Sequence, residues 1–303
     1  MAQVLEGKVI IITGSGRGVG QCLAEEAARQ GASVVVNDVG KDEDGNPTAE
    51  LVAQGIRSAG GKAIASQHNI ADRGNVEDMV KQALDNWGKV DGLVNNAGIL
   101  RDKIFHKMSE DDWDQSLTVN LKGAFNTSRA VAQLFKEQES GSMVHLTSTS
   151  GLIGNFGQAN YSAGKMGLVG LSKSIALDMS RFNVRSNCVA PFANTPMVMA
   201  GVPKETEEDK ERWRVIERMK PENIAPLVCA LLSDAAADVT GQIFGARANE
   251  VYLFSQPRPI RTMHIGDEGG ISTEAVIERV LPGFKSSMYP LDRSMDVFTW
   301  DPV

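Results

Sequence analysis

Residues that staple, ligate or stack are scarce in this chain of 303 residues. It has 3 cysteines and 4 histidines, and aromatic side chains make up 6%. Cys22, Cys188 and Cys229 are odd in number and far apart, which excludes a disulfide framework or a zinc site as the organising device. His68, His106, His145 and His264 do not pair at metal-ligand spacing, so no metal is expected. No apolar run approaches the ~20 residues that span a bilayer, and stretches such as 8–13 are far shorter. Positive charge is in deficit: 31 Lys and Arg face 38 Asp and Glu, for a net charge of -7, so no nucleic-acid partner is expected. No secretory pattern precedes the first strand-like run, and the expected setting is the cytoplasm.

What is present is a globular composition, 42% hydrophobic with 30 glycines. Short, nearly continuous apolar runs fall at 9–12, 33–37, 63–66, 92–95, 143–146, 184–189 and 242–244. Such runs suit strands buried on both faces of a parallel sheet. Between them the apolar period is helical: Val19, Leu23, Ala27 and Ala28 share one stripe, as do Val76, Met79, Val80 and Leu84. Repeated alternation predicts an α/β fold, a doubly wound (Rossmann) parallel sheet of about seven strands in a single domain over 1–250. Two stretches break the rhythm. Residues 203–222 carry 13 charges of nearly balanced sign with Trp213, Ile216 and Met219 at helical spacing, which reads as a solvated surface helix or as a substrate lid. Residues 251–303 stop alternating and form an extended C-terminal tail, expected to pack on the domain or on a partner subunit.

The first strand runs into Thr13-Gly14-Ser15-Gly16-Arg17-Gly18-Val19-Gly20 and then a helix. Glycines let backbone approach a pyrophosphate, and the helix N-terminus supplies N–H donors. Gly14, Ser15, Arg17, Gly18, Val19 and Gly20 are therefore candidate cofactor contacts. Asp38 ends the second strand, 18 residues beyond Gly20, close to where an acid takes the ribose hydroxyl of NAD. A 2′-phosphate there would meet like charge, roughly 4 kcal/mol per pair at 4 Å and an effective dielectric of 20. Arg17 is a counter-signal for NADP, but no arginine immediately follows Asp38, and NAD is the expected cofactor. Farther on, Tyr161 and Lys165 stand four apart at the start of an amphipathic helix and share a face. A nearby cation would bring the phenol from its usual pKa near 10 towards the range useful for proton transfer to or from an alcohol.

TGxxxGxG at 13–20, Asn95-Asn96-Ala97-Gly98 and Tyr161-x-x-x-Lys165 together resemble the short-chain dehydrogenase/reductase family, over residues 6 to about 248. The resemblance implies hydride transfer between nicotinamide C4 and a carbinol carbon. It makes Tyr161 the general acid/base, and Lys165 the cation that tunes it and holds the nicotinamide ribose. It also implies that Ser148, thirteen residues before Tyr161, binds the substrate oxygen, and that Asn120 anchors a water in the proton relay. Asn96, Ala97 and Gly98 would lie near the adenosine ribose, and Pro191 and Thr195 would hold the carboxamide. Where many members have an aspartate against adenine, this chain has Asn69-Ile70.

Segments 34–40, 96–102, 154–161 and 221–227 resemble the dehydrogenase unit of peroxisomal multifunctional enzyme type 2, and the tail from Val251 resembles bacterial stand-alone relatives. That likeness implies an acyl-CoA substrate oxidised at its 3-hydroxyl, with a steroid-derived or other bulky acyl chain as one form. Arg101, Lys103, Arg258 and Arg261 are candidate cations for CoA phosphates, and Phe156, Met197 and Trp213 candidate substrate contacts. The alternatives are a dehydrogenase for a free hydroxysteroid or cyclic alcohol, and a non-catalytic nucleotide-binding scaffold. A homodimer or homotetramer built on the helices near 111–137 and 161–182 is also implied.

Overall fold

The structure is a computed structural model that describes residues 3–194, 206–264 and 272–303. Seven parallel strands follow the apolar runs: β1 (Val9–Thr13), β2 (Ser33–Asn37), β3 (Lys62–Ser66), β4 (Gly92–Asn95), β5 (Gly141–Leu146), β6 (Val184–Phe192) and β7 (Ile243–Arg247). The helices between them are α1 (Gly18–Arg29), α2 (Thr48–Ser58), α3 (Arg73–Trp87), α4 (Glu110–Leu117), α5 (Gly123–Gln138), α6 (Thr149–Leu152), α7 (Ala159–Asp178), α8 (Glu207–Arg218) and α9 (Ala225–Leu232). Spatial order in the sheet is β3-β2-β1-β4-β5-β6-β7, so the winding reverses between β1 and β4. Ligands of open α/β sheets bind at such a switch, beyond the carboxyl ends of the strands.

Alternation along each strand divides the interior. Ile10, Ile12, Val34, Val36 and Val144 pack with Leu23, Ala27, Ile56 and Val228 from α1, α2 and α9. Val9, Ile11, Val35, Leu93 and Met143 face the other way, onto Met79, Val80, Val131 and Phe135 from α3 and α5. Both faces are covered, which is why every residue of β1, β2, β4 and β5 is buried and the runs carry no polar phase.

The expected seven strands become eight. Arg247 pairs with Glu250 across a two-residue turn in which Ala248 takes φ +49°, and Glu250–Leu253 returns antiparallel to β7 as β8. Tyr252 is half-buried while Val251 and Leu253 are exposed, so a four-residue edge strand carries too little apolar signal to be read from sequence. The division drawn at 250/251 therefore passes through a strand. Beyond it the tail forms short turns at Thr273–Ala275, Leu281–Phe284 and Ser294–Val297 and lies against its own domain. The Asn249 N–H donates to Val303 O at 2.8 Å, and the Trp300 indole N–H to Glu250 at 2.7 Å. The stretch 203–222 contains α8, opened by a Thr206–Asp209 capping box. No helix among the described residues is long and apolar enough to cross a membrane.

Candidate active site

The glycine loop is built by close approach. A Cβ on Gly14, which has φ +63°, would sit 2.6 Å from Ala97 Cα. One on Gly20 would sit 2.1 Å from Gly14 O, and one on Gly16 2.3 Å from Thr48 Oγ1. No side chain caps the N-terminus of α1, so the first-turn N–H groups keep the donor capacity that suits a pyrophosphate. Asp38 accepts from Gly16 N at 3.0 Å and Gly40 N at 2.7 Å, which fixes its carboxylate beside that loop. Those features fit a dinucleotide. Arg17 is exposed at the loop edge.

Other expected contacts divide into loop builders and rim residues. The Ser15 hydroxyl is buried, donating to Ile12 O at 2.7 Å and accepting from Asn37 N at 3.0 Å, so it ties β1 to β2. Asn96 donates to Thr13 O at 3.0 Å and Gly14 O at 2.8 Å, and Thr13 Oγ1 accepts from the Asn96 and Ala97 N–H groups, both at 3.1 Å. Val19 is buried inside α1, and Ile70 is buried with its carbonyl held by Asn126 at 2.9 Å. Asn69 is exposed on the rim and accepts from Ala71 N at 3.0 Å. Pro191 lies in β6, paired with Ala246. Thr195 and Met197 lie outside the described residues. Trp213 is half-buried on α8, and Phe156 is exposed.

The residues expected to be catalytic converge at the ends of β4 and β5. Ser148 caps α6 through Ser150 N at 3.1 Å, and its hydroxyl hydrogen-bonds Tyr161 from the first turn of α7. Lys165, one turn on, is buried, with Nζ donating to Leu146 O at 2.7 Å and lying 5.6 Å from the Tyr161 ring centroid. Asn120 stands in a π-turn, Thr118–Lys122, between α4 and α5. Its amide donates to Ile99 O and Ser116 O, both at 2.9 Å, and accepts from Ile99 N at 3.2 Å. Gly98 sits between the two: a Cβ there would be 2.6 Å from Asn120 Oδ1 and 3.4 Å from Lys165 Nζ.

Burial pushes the Tyr161 phenol up to about 12, the Ser148 hydrogen bond pulls it back, and the Asp102 carboxylate pushes it further. Burial takes the Lys165 ammonium down to about 8. The phenol is thus protonated at neutral pH, fit to donate to a ketone oxygen.

Three supports went unremarked as site residues. Asn160 is fully buried and spans the cleft wall, donating to Arg101 O at 2.9 Å and Asp112 O at 2.8 Å while accepting from Tyr161 N at 2.7 Å. Thr147 donates to Lys165 O at 2.6 Å and fastens α7 to the end of β5. Asn37 donates to His68 O at 2.8 Å and shapes the end of β2. Their signal was an asparagine or threonine interrupting a buried run, which composition does not distinguish from a turn residue.

The short chain dehydrogenase family profile matches residues 8–206. This chain belongs to that family. It is 36% identical to hydroxyacyl-CoA dehydrogenase ChsB1 of Mycobacterium tuberculosis, over 84% of this chain and 81% of that protein. It is 39% identical to peroxisomal multifunctional enzyme type 2 of Mus musculus, over 78% of this chain but only 31% of that longer protein. A crystal structure of a short chain dehydrogenase from Mycobacterium avium superposes with a TM-score of 0.81 at 33% identity, covering 95% of this chain and 97% of the other. The enzyme is an oxidoreductase acting on a CH–OH group or the corresponding ketone, and the family uses a nicotinamide dinucleotide.

Proposed function

We propose that this short-chain dehydrogenase is an NAD-dependent 3-hydroxyacyl-CoA dehydrogenase, interconverting the 3-hydroxy and 3-oxo thioesters. The observation that carries the cofactor choice is Asp38, whose carboxylate is held by two backbone N–H groups beside the glycine loop. A 2′-phosphate brought there would be repelled by a charge that cannot swing away. Bound NAD supplies the hydride acceptor at nicotinamide C4. Tyr161 and Ser148 hold the substrate oxygen, Tyr161 moves its proton, and Lys165 and Asn120 maintain the polar side of the cleft. The thioester assignment is supported by the hydroxyacyl-CoA dehydrogenase and multifunctional relatives.

The deciding experiment measures initial rates of NADH oxidation with acetoacetyl-CoA, with androstenedione and with a simple cyclic ketone, each repeated with NADPH. Turnover of the thioester with NADH is the expected result. Turnover of the free steroid without the thioester overturns the substrate class, and a preference for NADPH overturns the cofactor. NADH binding with no turnover of any ketone would make the protein a sensor or scaffold. We further propose assembly into a homodimer or homotetramer across α5 and α7, which expose Phe125, Met166 and Leu177; a monomeric mass by light scattering overturns it.

A further inference from the structure

The tail packs on the loop that follows β5 and on the end of β6. Its first anchor is the loop between α6 and α7, the one leading from Ser148 to Tyr161. There Ser294 donates to Gly154 O through its N–H at 3.1 Å and its hydroxyl at 3.2 Å. The Arg293 guanidinium lies 5.4 Å above the Phe156 ring. Its second anchor is the end of β6, where the Phe298 ring meets Phe192 edge-on at 4.7 Å and Tyr252 at 5.3 Å. Phe192 directly follows Pro191. Since β5 and β6 are neighbours, segment 293–298 bridges the carboxyl ends of two adjacent strands, on the side of the catalytic residues away from the glycine loop at β1.

Between the anchors the turn Ser294–Val297 leaves Met295 and Val297 exposed, 51% and 40%, and Phe156 below it is 72% exposed. Apolar side chains left bare along a cleft mouth are an unfilled binding surface. Beyond its reacting carbonyl acetoacetyl-CoA carries only a methyl group, whereas a long-chain 3-oxoacyl-CoA carries an apolar chain of the kind such a surface fits.

We propose that the strap Arg293–Phe298 forms the distal wall of the substrate cleft and selects thioesters with long or bulky apolar acyl groups. The inference rests on the thioester reading above for its substrate class. Met295→Asp and Val297→Asp put charge on the wall at exposed positions that the fold does not need. With 3-oxohexadecanoyl-CoA both variants should lose about tenfold in kcat/KM, while acetoacetyl-CoA turnover and NADH affinity change less than about twofold. Equal loss on both thioesters, or no loss on either, overturns the proposal. As a second readout, hydrogen exchange across 291–299 of the wild-type NAD complex should slow when 3-oxohexadecanoyl-CoA is added, and unchanged exchange also overturns it. Should the wild type turn over no thioester, the thioester reading fails by itself. The same variants are then assayed with androstenedione against cyclohexanone: loss confined to the larger ketone sustains the wall, and its absence overturns it.

Discussion

Tyr161 has two neighbours of opposite effect within one cleft, Ser148 lowering its pKa and Asp102 raising it. Tyr161→Phe removes the transferable proton and should reduce turnover by about 10³-fold or more while NADH affinity, read by fluorescence, stays within twofold. Asp102→Asn removes a negative charge and should move the alkaline rise of alcohol oxidation to lower pH, visible in a kcat/KM–pH profile. Asp38→Ser should raise kcat/KM with NADPH about ten- to a hundredfold by deleting the like charge that meets a 2′-phosphate. His145 is a residue of stability. It is fully buried between Asn95 and Ser186, each at 3.2 Å, and burial lowers its pKa to about 4. The unfolded chain then binds the extra proton as pH falls from 6.5 to 4, so the folded state loses on the order of 3 kcal/mol across that window. His145→Gln should flatten this part of the stability–pH curve measured by urea denaturation.

At the scale of elements, the strands and flanking helices were legible because burial on both faces leaves an apolar run and burial on one leaves a helical period. The glycine loop was legible for a related reason: backbone packed as tightly as Gly14 on Ala97 admits no side chain. How α7 is seated was not. Its register depends on Asn160 and Thr147, whose partners, Arg101 O, Asp112 O and Lys165 O, come from loops and a helix distant in sequence or turned inward only in the fold. Asn160→Ala leaves two carbonyls and the Tyr161 N–H without that partner in a buried place. It should cost about 1–3 kcal/mol in urea denaturation and lower kcat by misplacing Tyr161.

For the whole molecule, the tail is held as much by charge as by area. Arg247 is buried, donates to Glu250 at 2.7 Å and stacks 5.0 Å from the Trp300 ring, while Tyr252 and Trp300 also donate to Glu250. Those three donors draw the Glu250 carboxyl down to about 2 despite its desolvation. Breaking one member of such a pair leaves the other charge buried, so Glu250→Ala should cost about 3–5 kcal/mol. Because Glu250 holds Trp300 near the end of the tail, that variant should also make peptides from 290–303 more open to limited proteolysis.

The sequence by itself determined the α/β winding, the glycine loop and the shared helix face of Tyr161 and Lys165, because each is set within a few positions by periodicity, glycine or i,i+4 geometry, whereas Ser148 and Asn120 were marked only by resemblance to the family. Only the tertiary structure decided that the chain adds an eighth strand and packs its tail on its own domain. It also decided that burial holds the phenol of Tyr161 high. Such outcomes depend on burial and on partners up to 140 residues apart, as Ser294 and Gly154 are. Desolvation is a property of what surrounds a group in space, and no local pattern of residues encodes it.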